Sequence, residues 1–204
     1  PERPVVLLRT PGNRYGKGIP GKPHRSGACG VYRAGTAVLF RKPCRPPAED
    51  RFGFAMKLIR VALIAFGEVD PAPCSWLMED IPEILFTRVE ECSSMPLSPR
   101  HFYPERHQYL ADGLLSDLPW PGDSGADLSL GITGADLFSG RMNCVFGIAC
   151  TGRALISTFR LRPEWYGDSP NPKVYRWRVL TEAVHELGHA LGLSHCEYPG
   201  CVMY

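Results

Sequence analysis

The strongest constraint on the fold of this chain is the histidine-rich segment HELGHALGLSH, which spans residues 185–195. His185 and His189 are four residues apart, so on a helix both imidazoles project from the same side, about one turn from each other. Apolar residues recur at helical spacing before and within this segment, which gives such a helix a face to bury. The sequence therefore predicts a helix over residues 173–191 that packs on a core and presents two histidines together.

The spacing of this segment matches the requirements of a zinc site. Two imidazole nitrogens one turn apart can bind one Zn²⁺ at about 2.0–2.1 Å each, and a catalytic site typically adds a third protein ligand and leaves one position open. Gly192 permits a sharp turn after the helix, because glycine tolerates the left-handed conformation common at helix C-termini. The turn can bring back His195 as the third ligand, and Met203 can pack beneath the metal. We therefore expect a metal site, not histidines that merely face solvent or core.

Glu186 follows the first histidine directly and is expected beside the metal, not bound to it. Zinc lowers the pKa of a bound water to about 7, so a neighbouring carboxylate can take a proton from that water near neutrality. The predicted reaction is hydrolysis of a peptide bond by a zinc-bound water that Glu186 activates. A zinc-binding protein of the same fold that binds a partner and turns over little is the alternative that the sequence leaves open.

Charge is distributed unevenly along the chain. Residues 1–55 contain 11 Lys and Arg against three acidic residues, with eight Pro and eight Gly, whereas residues 56–204 contain 12 basic and 18 acidic residues. The first segment has too few apolar residues to offset the entropy of ordering. It is a disordered tail or linker, an upstream sequence that is not translated before Met56, or a nucleic-acid-binding segment, although no aromatic interleaving or known module supports the last.

We therefore expect two regions, a basic Pro/Gly-rich extension over residues 1–55 and a globular domain over residues 56–204. No run of 18 or more apolar residues occurs, so no membrane span is expected. The predicted protein is a cytoplasmic monomer that acts on a peptide or protein substrate, with neither nucleic acid nor membrane as a partner. A zinc-dependent nucleic-acid-binding module that uses the basic extension is the less favoured alternative.

The coarse element order from residue 56 is β-α-α-β-β-β-α, which is typical of an α/β or α+β domain with a mixed sheet and packed helices. Residues 57–67 predict a buried strand, residues 75–92 and 105–118 predict helices, and residues 128–138 predict a further strand. Residues 143–161 predict two strands joined in a hairpin at residues 151–153.

The remaining potential ligands give weaker signals. His24, His101 and His107 fit no ligand spacing and are interpreted as surface residues. Away from the histidine motif, we expect cysteines to be free thiols of a reducing compartment, with pairing of any two left open. These are Cys29, Cys44, Cys74, Cys92, Cys144 and Cys150.

Two cysteines follow the third histidine in the segment HCEYPGC. The thiolates of Cys196 and Cys201 can bind a second Zn²⁺ at this separation, but structural zinc usually takes four ligands. Two reduced thiols are the alternative.

The segment HELGHALGLSHCEYPGCVM resembles the archaemetzincin family of zinc peptidases, in which the elongated histidine motif is followed by the same spacing of Cys and Met. More weakly, RVALIAFG resembles the first strand of that family, ERHQYLADGLL its second helix, and VFGIACTGRALISTF the strand pair beside its active site. The resemblance covers about residues 56–204, and residues 1–55 match nothing in the family.

The resemblance implies a zincin or metzincin-like fold whose active-site helix carries the HExxH motif. It implies that His185, His189 and His195 bind the catalytic zinc, that Glu186 is the general base, and that Met203 belongs to the Met-turn. The substrate is expected to lie extended along an edge strand within residues 143–161.

The resemblance also implies that Cys196 and Cys201 are two of four ligands of a structural zinc. In the family a downstream Cys-x-x-Cys pair completes that site, and this sequence ends before the place where the pair should come. We therefore expect a C-terminally truncated sequence, with one catalytic zinc and a second ion bound only when the missing cysteines are present.

Overall fold

The computed structural model describes residues 58–123, 125–140 and 142–204. The predicted basic extension over residues 1–55 lies outside the described residues, as do His24, Cys29 and Cys44. No helix in the described part of the chain is both long enough and apolar enough to cross a bilayer.

The described residues form nine strands and three α-helices. The strands are β1 (Ile59–Phe66), β2 (Thr87–Met95), β3 (Phe102–Tyr103), β4 (Gln108–Leu110), β5 (Leu128–Thr133), β6 (Leu137–Ser139), β7 (Met142–Val145), β8 (Gly147–Cys150) and β9 (Arg153–Ser157). The helices are α1 (Pro71–Leu85), α2 (Ala111–Asp117) and α3 (Pro172–Ala190).

The larger sheet has five strands in the order β2-β1-β5-β9-β8. Its first four strands are parallel to their neighbours, and β8 pairs antiparallel with β9 at one edge. A smaller sheet contains β3, β4, β6 and β7 in sequence order. This arrangement confirms the predicted mixed sheet with packed helices, and it confirms the β8–β9 hairpin.

Both faces of the larger sheet are buried, as expected where parallel strands are covered by helices. Val61 and Leu63 of β1 pack in one core cluster with residues of α1 and α3. The alternate residues Ala62 and Ile64 pack in a second cluster with residues of α2. Each fully buried aliphatic side chain contributes roughly 1.5–3 kcal/mol, so the first cluster holds α1 and α3 on one face of the sheet and the second holds α2 on the other.

Helix α3 begins and ends where the sequence predicts, to within one residue. The side chain of Asn171 caps its first turn by accepting a hydrogen bond from the backbone N–H of Val174 at 3.2 Å, and Pro172 occupies the first turn, where its missing N–H costs nothing. After the helix, Gly192 has a φ of +91°, in the left-handed region that favours glycine. The N–H of Leu193 then donates to the carbonyl of Gly188 at 2.9 Å, which closes the turn.

Two predicted helices are wrong in extent. The helix predicted over residues 75–92 begins earlier, at Pro71, and stops at Leu85, where Phe86 adopts a φ of +50° and the chain enters β2. The helix predicted over residues 105–118 is reduced to α2, because residues 108–110 pair with β6 as a strand. In both cases pairing with a distant strand overrides the local helical pattern.

The strand predicted over residues 128–138 is also divided. β5 ends at Thr133, and β6 begins at Leu137 in the smaller sheet. The hydroxyl of Thr133 accepts a hydrogen bond from the N–H of Ala135 at 3.2 Å, which stabilises the intervening turn.

Candidate metal centre

Three histidine side chains converge at the C-terminal end of α3. One ring nitrogen each from His185, His189 and His195 lies within 4.8 Å of the others. The Nε2 atom of His189 lies 3.0 Å from Nε2 of His185 and 3.2 Å from Nε2 of His195. Nitrogens bound tetrahedrally to one Zn²⁺ at about 2.05 Å would be about 3.3 Å apart, so the spacing of the three rings is close to that of a zinc site.

Backbone carbonyls fix the orientation of two of these rings. Nδ1 of His185 lies 2.7 Å from the carbonyl oxygen of Val202, and Nδ1 of His189 lies 2.8 Å from that of Leu193. Because a carbonyl can only accept, each Nδ1 must donate, and each Nε2 of the neutral ring carries a lone pair directed at the shared point. Converging lone pairs repel one another unless a cation lies between them, so this donor set fits a zinc ion.

The protonation of His185 favours the same role. Burial lowers the pKa of His185 below its ordinary value, the hydrogen bond to the Val202 carbonyl offsets part of this effect, and His189 and His195 lower the pKa further. A neutral imidazole is the form that binds metal.

Glu186 is buried beside the triad. Its side chain is 5% exposed. The pKa of Glu186 is raised to about 8, mainly by burial, with contributions from the charge of Glu182 and a hydrogen bond to it. A metal cation in the adjacent triad would favour the ionised carboxylate and so act against the effect of burial. Glu186 is thus a carboxyl group whose proton affinity lies in the range that general base catalysis uses.

The edge strand β8 passes directly against Glu186. A Cβ atom built on Gly147 would lie 2.6 Å from Cγ of Glu186 and 2.9 Å from the carbonyl oxygen of Leu155. Atoms that are not bonded do not pack this closely. A side chain at position 147 would therefore have to displace Glu186 or the backbone of Leu155, and glycine avoids this clash. Within the described residues β8 pairs only with β9, which leaves its outer edge open beside the glutamate.

The last residues of the chain fold back beneath α3. The N–H of Cys196 donates to the carbonyl of Met203 at 2.6 Å. Met203 is 5% exposed and its side chain lies against Gly188, where a Cβ would collide with it. Met203 therefore packs on α3 at Gly188, the residue before His189.

Comparison with known proteins agrees with this geometry. The family model described as "Peptidase family M54" matches residues 100–204. The archaemetzincin of Pyrococcus furiosus is 40% identical over 152 residues, which cover 71% of this chain and 79% of that protein. The archaemetzincin of Methanocaldococcus jannaschii is 36% identical over 148 residues, which cover 72% and 80% respectively.

The chain belongs to peptidase family M54, the archaemetzincins.

Solved structures of this family share the fold. The crystal structure of archaemetzincin from Archaeoglobus fulgidus, complexed with malonate, is 33% identical with a TM-score of 0.62, covering 71% of this chain and 85% of that one. A zinc-dependent peptidase from Methanocorpusculum labreanum is 27% identical with a TM-score of 0.59, covering 71% and 87%. As an archaemetzincin, this chain is a zinc metallopeptidase, and the resemblance drawn from its C-terminal motif is confirmed.

The two cysteines predicted to bind a structural zinc do not belong to the histidine group. Cys196 and Cys201 are free, half-buried thiols. Among the described residues, the histidine triad is the group in which three or more potential metal ligands converge.

The structure confirms the sequence predictions for two other residues and corrects them for two more. His107 is exposed as predicted, but His101 is half-buried, with its Nε2 3.0 Å from a carboxylate oxygen of Asp117. Cys144 is disulfide-bonded, which corrects the expectation of a free thiol there, whereas Cys150 is free.

Sequence analysis did not identify Gly147, which contacts Glu186, or Glu182, which raises the pKa of Glu186. A glycine inside a β-rich run is a signal for close backbone approach, and VFGIAC contained it. Glu182 precedes Glu186 by four residues, which places both on one helical face.

Proposed function

We propose that this archaemetzincin hydrolyses peptide bonds with His185, His189 and His195 as ligands of one catalytic zinc and Glu186 as the general base. The observation that supports the proposal most directly is the convergence of three Nε2 atoms beside a buried glutamate. A zinc ion held there supplies Lewis acidity toward water and toward the scissile carbonyl.

The carboxylate of Glu186 accepts the proton of the attacking water and delivers it to the leaving amine. Burial keeps its proton affinity high enough for the first step, because a carboxylate with an ordinary pKa is a weak base at neutral pH. Contact with the Gly147 backbone prevents the side chain from turning toward β8.

The peptide substrate binds along the outer edge of β8 in an extended conformation. β8 is the outermost strand of the larger sheet, and its first residue contacts Glu186. Main-chain hydrogen bonds between an edge strand and an extended peptide are largely independent of sequence. This assigns the substrate strand to residues 147–150, the first half of the predicted hairpin.

Cys196 and Cys201 are proposed as two of the four ligands of a structural zinc whose remaining ligands come from outside the described residues. They follow the third histidine directly, in the turn that Met203 closes. Such a site would stabilise the turn that presents His195, so it would support the catalytic site without taking part in the reaction.

The test is the substitution Glu186→Gln, which keeps the size of the side chain and removes its basicity. We expect zinc content to stay at the parent value and the rate of peptide cleavage to fall by about 10²–10⁴-fold. Glu197→Gln, the same change at an exposed position in the loop that follows α3, is the matched control and should leave cleavage unchanged. If Glu186→Gln cleaves as fast as the parent, Glu186 is not the base.

A peptide panel separates the proposal from the alternative of a binding module. The zinc-loaded parent should cleave members of the panel. If it binds peptides at the same site and cleaves none, the chain is a zinc-dependent binding module of peptidase fold.

A further inference from the structure

Two cysteines that the metal centre does not use are in contact between α1 and β2. The Sγ atom of Cys92 lies 3.6 Å from the Sγ atom of Cys74, at hydrogen-bonding distance for thiols. Both residues are free and half-buried, and both pack against the core cluster shared by α1 and α3. The pair therefore lies at a boundary between a helix and a strand, partly accessible to small molecules.

A β-bulge in β2 creates this contact. From Ala62 to Ile64 the strand β1 advances two residues, while its partner β2 advances three, from Glu90 to Ser93. In a regular strand, side chains three residues apart point to opposite faces. Here Val89 and Cys92 pack on the same face, because the extra residue reverses the alternation between them.

The bulge thus turns Cys92 toward α1, where Cys74 lies in the first turns of the helix. Without it, Cys92 would face the opposite side of the sheet, and the two thiols would be separated by the strand. Bulges that re-aim a side chain are usually specific features of a fold. The contact therefore depends on a defined backbone irregularity, not on a chance meeting of side chains.

The surroundings of Cys74 make its thiol unreactive. The pKa of Cys74 is raised to about 12, mainly by burial, with contributions from Cys92, through its charge and a hydrogen bond, and from Asp70. Because the thiolate is the reactive form, Cys74 is a poor nucleophile at neutral pH. The first attack on an external reagent is therefore not expected from Cys74, which lies 3.6 Å from Cys92 and is placed to react with the product that forms there.

We propose that Cys74 and Cys92 form an oxidation site, at which a low-molecular-weight disulfide such as oxidised glutathione converts the two thiols into a disulfide joining α1 to β2. The Cys92 thiolate attacks one sulfur of oxidised glutathione and releases the first glutathione. Cys74 then attacks Sγ of Cys92, loses its proton and releases the second glutathione. Together the two cysteines lose two electrons and two protons, which the two glutathione molecules gain.

The geometry permits the bond with little movement. A disulfide brings its sulfurs to about 2.05 Å, and the two atoms start 3.6 Å apart on side chains that already point at each other. The cross-link would tie α1 to the sheet. α1 in turn holds α3 through Arg176, which pairs with Asp80 at 2.8 Å and Glu79 at 2.7 Å. The disulfide would therefore stabilise α1, which packs against α3, the helix that carries the histidine motif.

The test is oxidation of the folded, zinc-loaded chain with oxidised glutathione, followed by trapping of free thiols, tryptic digestion and mass spectrometry. Cleavage at Arg88 places the two cysteines in different peptides, so their linkage is directly visible. We expect a Cys74–Cys92 linked peptide that dithiothreitol separates. We also expect a rise in the melting temperature of about 5–10 °C, as expected for closing a loop of this length.

Single substitutions test which of the two cysteines reacts first with oxidised glutathione. Cys74→Ser should accumulate a glutathione adduct on Cys92, whereas Cys92→Ser should leave Cys74 largely unmodified, and neither should show the thermal shift. Cys150→Ser should still form the linked peptide. Cys74→Ala repeats the test if the serine variant does not fold.

If the parent gives separate glutathione adducts and no linked peptide, the proposal is wrong. It is also wrong if the thermal shift persists in the Cys74 variants.

Discussion

The backbone of Gly147 lies so close to the side chain of Glu186 that a Cβ atom at position 147 would be 2.6 Å from Cγ and 2.9 Å from Oε1 of the glutamate. Gly147 is the first residue of the edge strand β8, and Glu186 lies on the active-site helix α3. Because position 147 of β8 has no side chain, the side chain of Glu186, the proposed base on α3, can occupy the space beside it. Gly147 is a positioning residue in this account.

Gly147→Ala should lower kcat by about 10–100-fold with little change in KM or zinc content, because a misplacement of about 1 Å at a reacting group can cost about 10²-fold. Steady-state kinetics and metal analysis give the three values. The double variant with Glu186→Gln should be no slower than Glu186→Gln alone if Gly147 acts through the glutamate. Independent, multiplying effects would show that Gly147 acts in some other way.

The 204-residue chain should bind one zinc per molecule, and Cys196→Ser with Cys201→Ser should not change that value, since two thiolates alone make a weak site. His189→Ala should reduce the bound zinc to well below one per chain, because it removes one of the three proposed ligands. Elemental analysis after exhaustive dialysis measures the stoichiometry. Two zinc ions in the parent and one in the double cysteine variant would place a complete second site within this chain.

Replacement of Met203 should destabilise the turn beneath α3. Met203 is 5% exposed and packs against Gly188. Met203→Ala should lower the free energy of unfolding by about 2–5 kcal/mol, whereas Met203→Leu should cost less than about 1.5 kcal/mol because it preserves volume. Urea unfolding of the zinc-loaded variants gives both values. If the alanine variant is as stable as the parent, the Met203 side chain does not stabilise the turn beneath α3.

The reactivity of Cys74 should depend steeply on pH. Its pKa is raised to about 12, mainly by burial, with contributions from Cys92 and Asp70. A raised thiol pKa means that the thiolate is scarce at neutral pH and increases about tenfold per pH unit below the pKa. Alkylation of Cys74 by iodoacetamide in the parent chain, followed at low conversion by mass spectrometry of the tryptic peptide that ends at Arg88, should therefore be slow at pH 7 and about 100-fold faster at pH 9. A rate that levels off near pH 8 would contradict this assignment.

The sequence predicted α3 and the histidine motif because the information for both is local. The spacing of His185 and His189 determines a shared helical face, and Asn171, Pro172 and Gly192 mark the ends of the helix. The β8–β9 hairpin was predictable for the same reason, since Gly152 marks its turn with a φ of +80°.

The elements that sequence reasoning missed depend on contacts distant in the chain. β2 was assigned to a helix because TRVEEC continues the apolar spacing of α1, and no glycine marks the left-handed turn at Phe86. Its pairing with β1, including the bulge, becomes visible only when the sheet is assembled. The role of Gly147 likewise depends on its contact with Glu186, which lies 39 residues further along the chain.

The most direct test of the metal centre is a crystal structure of the zinc-loaded chain with anomalous diffraction recorded at the zinc absorption edge. We expect one strong anomalous peak about 2.0–2.1 Å from Nε2 of His185, His189 and His195, with Glu186 beside the metal and not bound to it. A peak coordinated by fewer than three of these histidines, or one that has Glu186 as a ligand, would contradict the proposed centre.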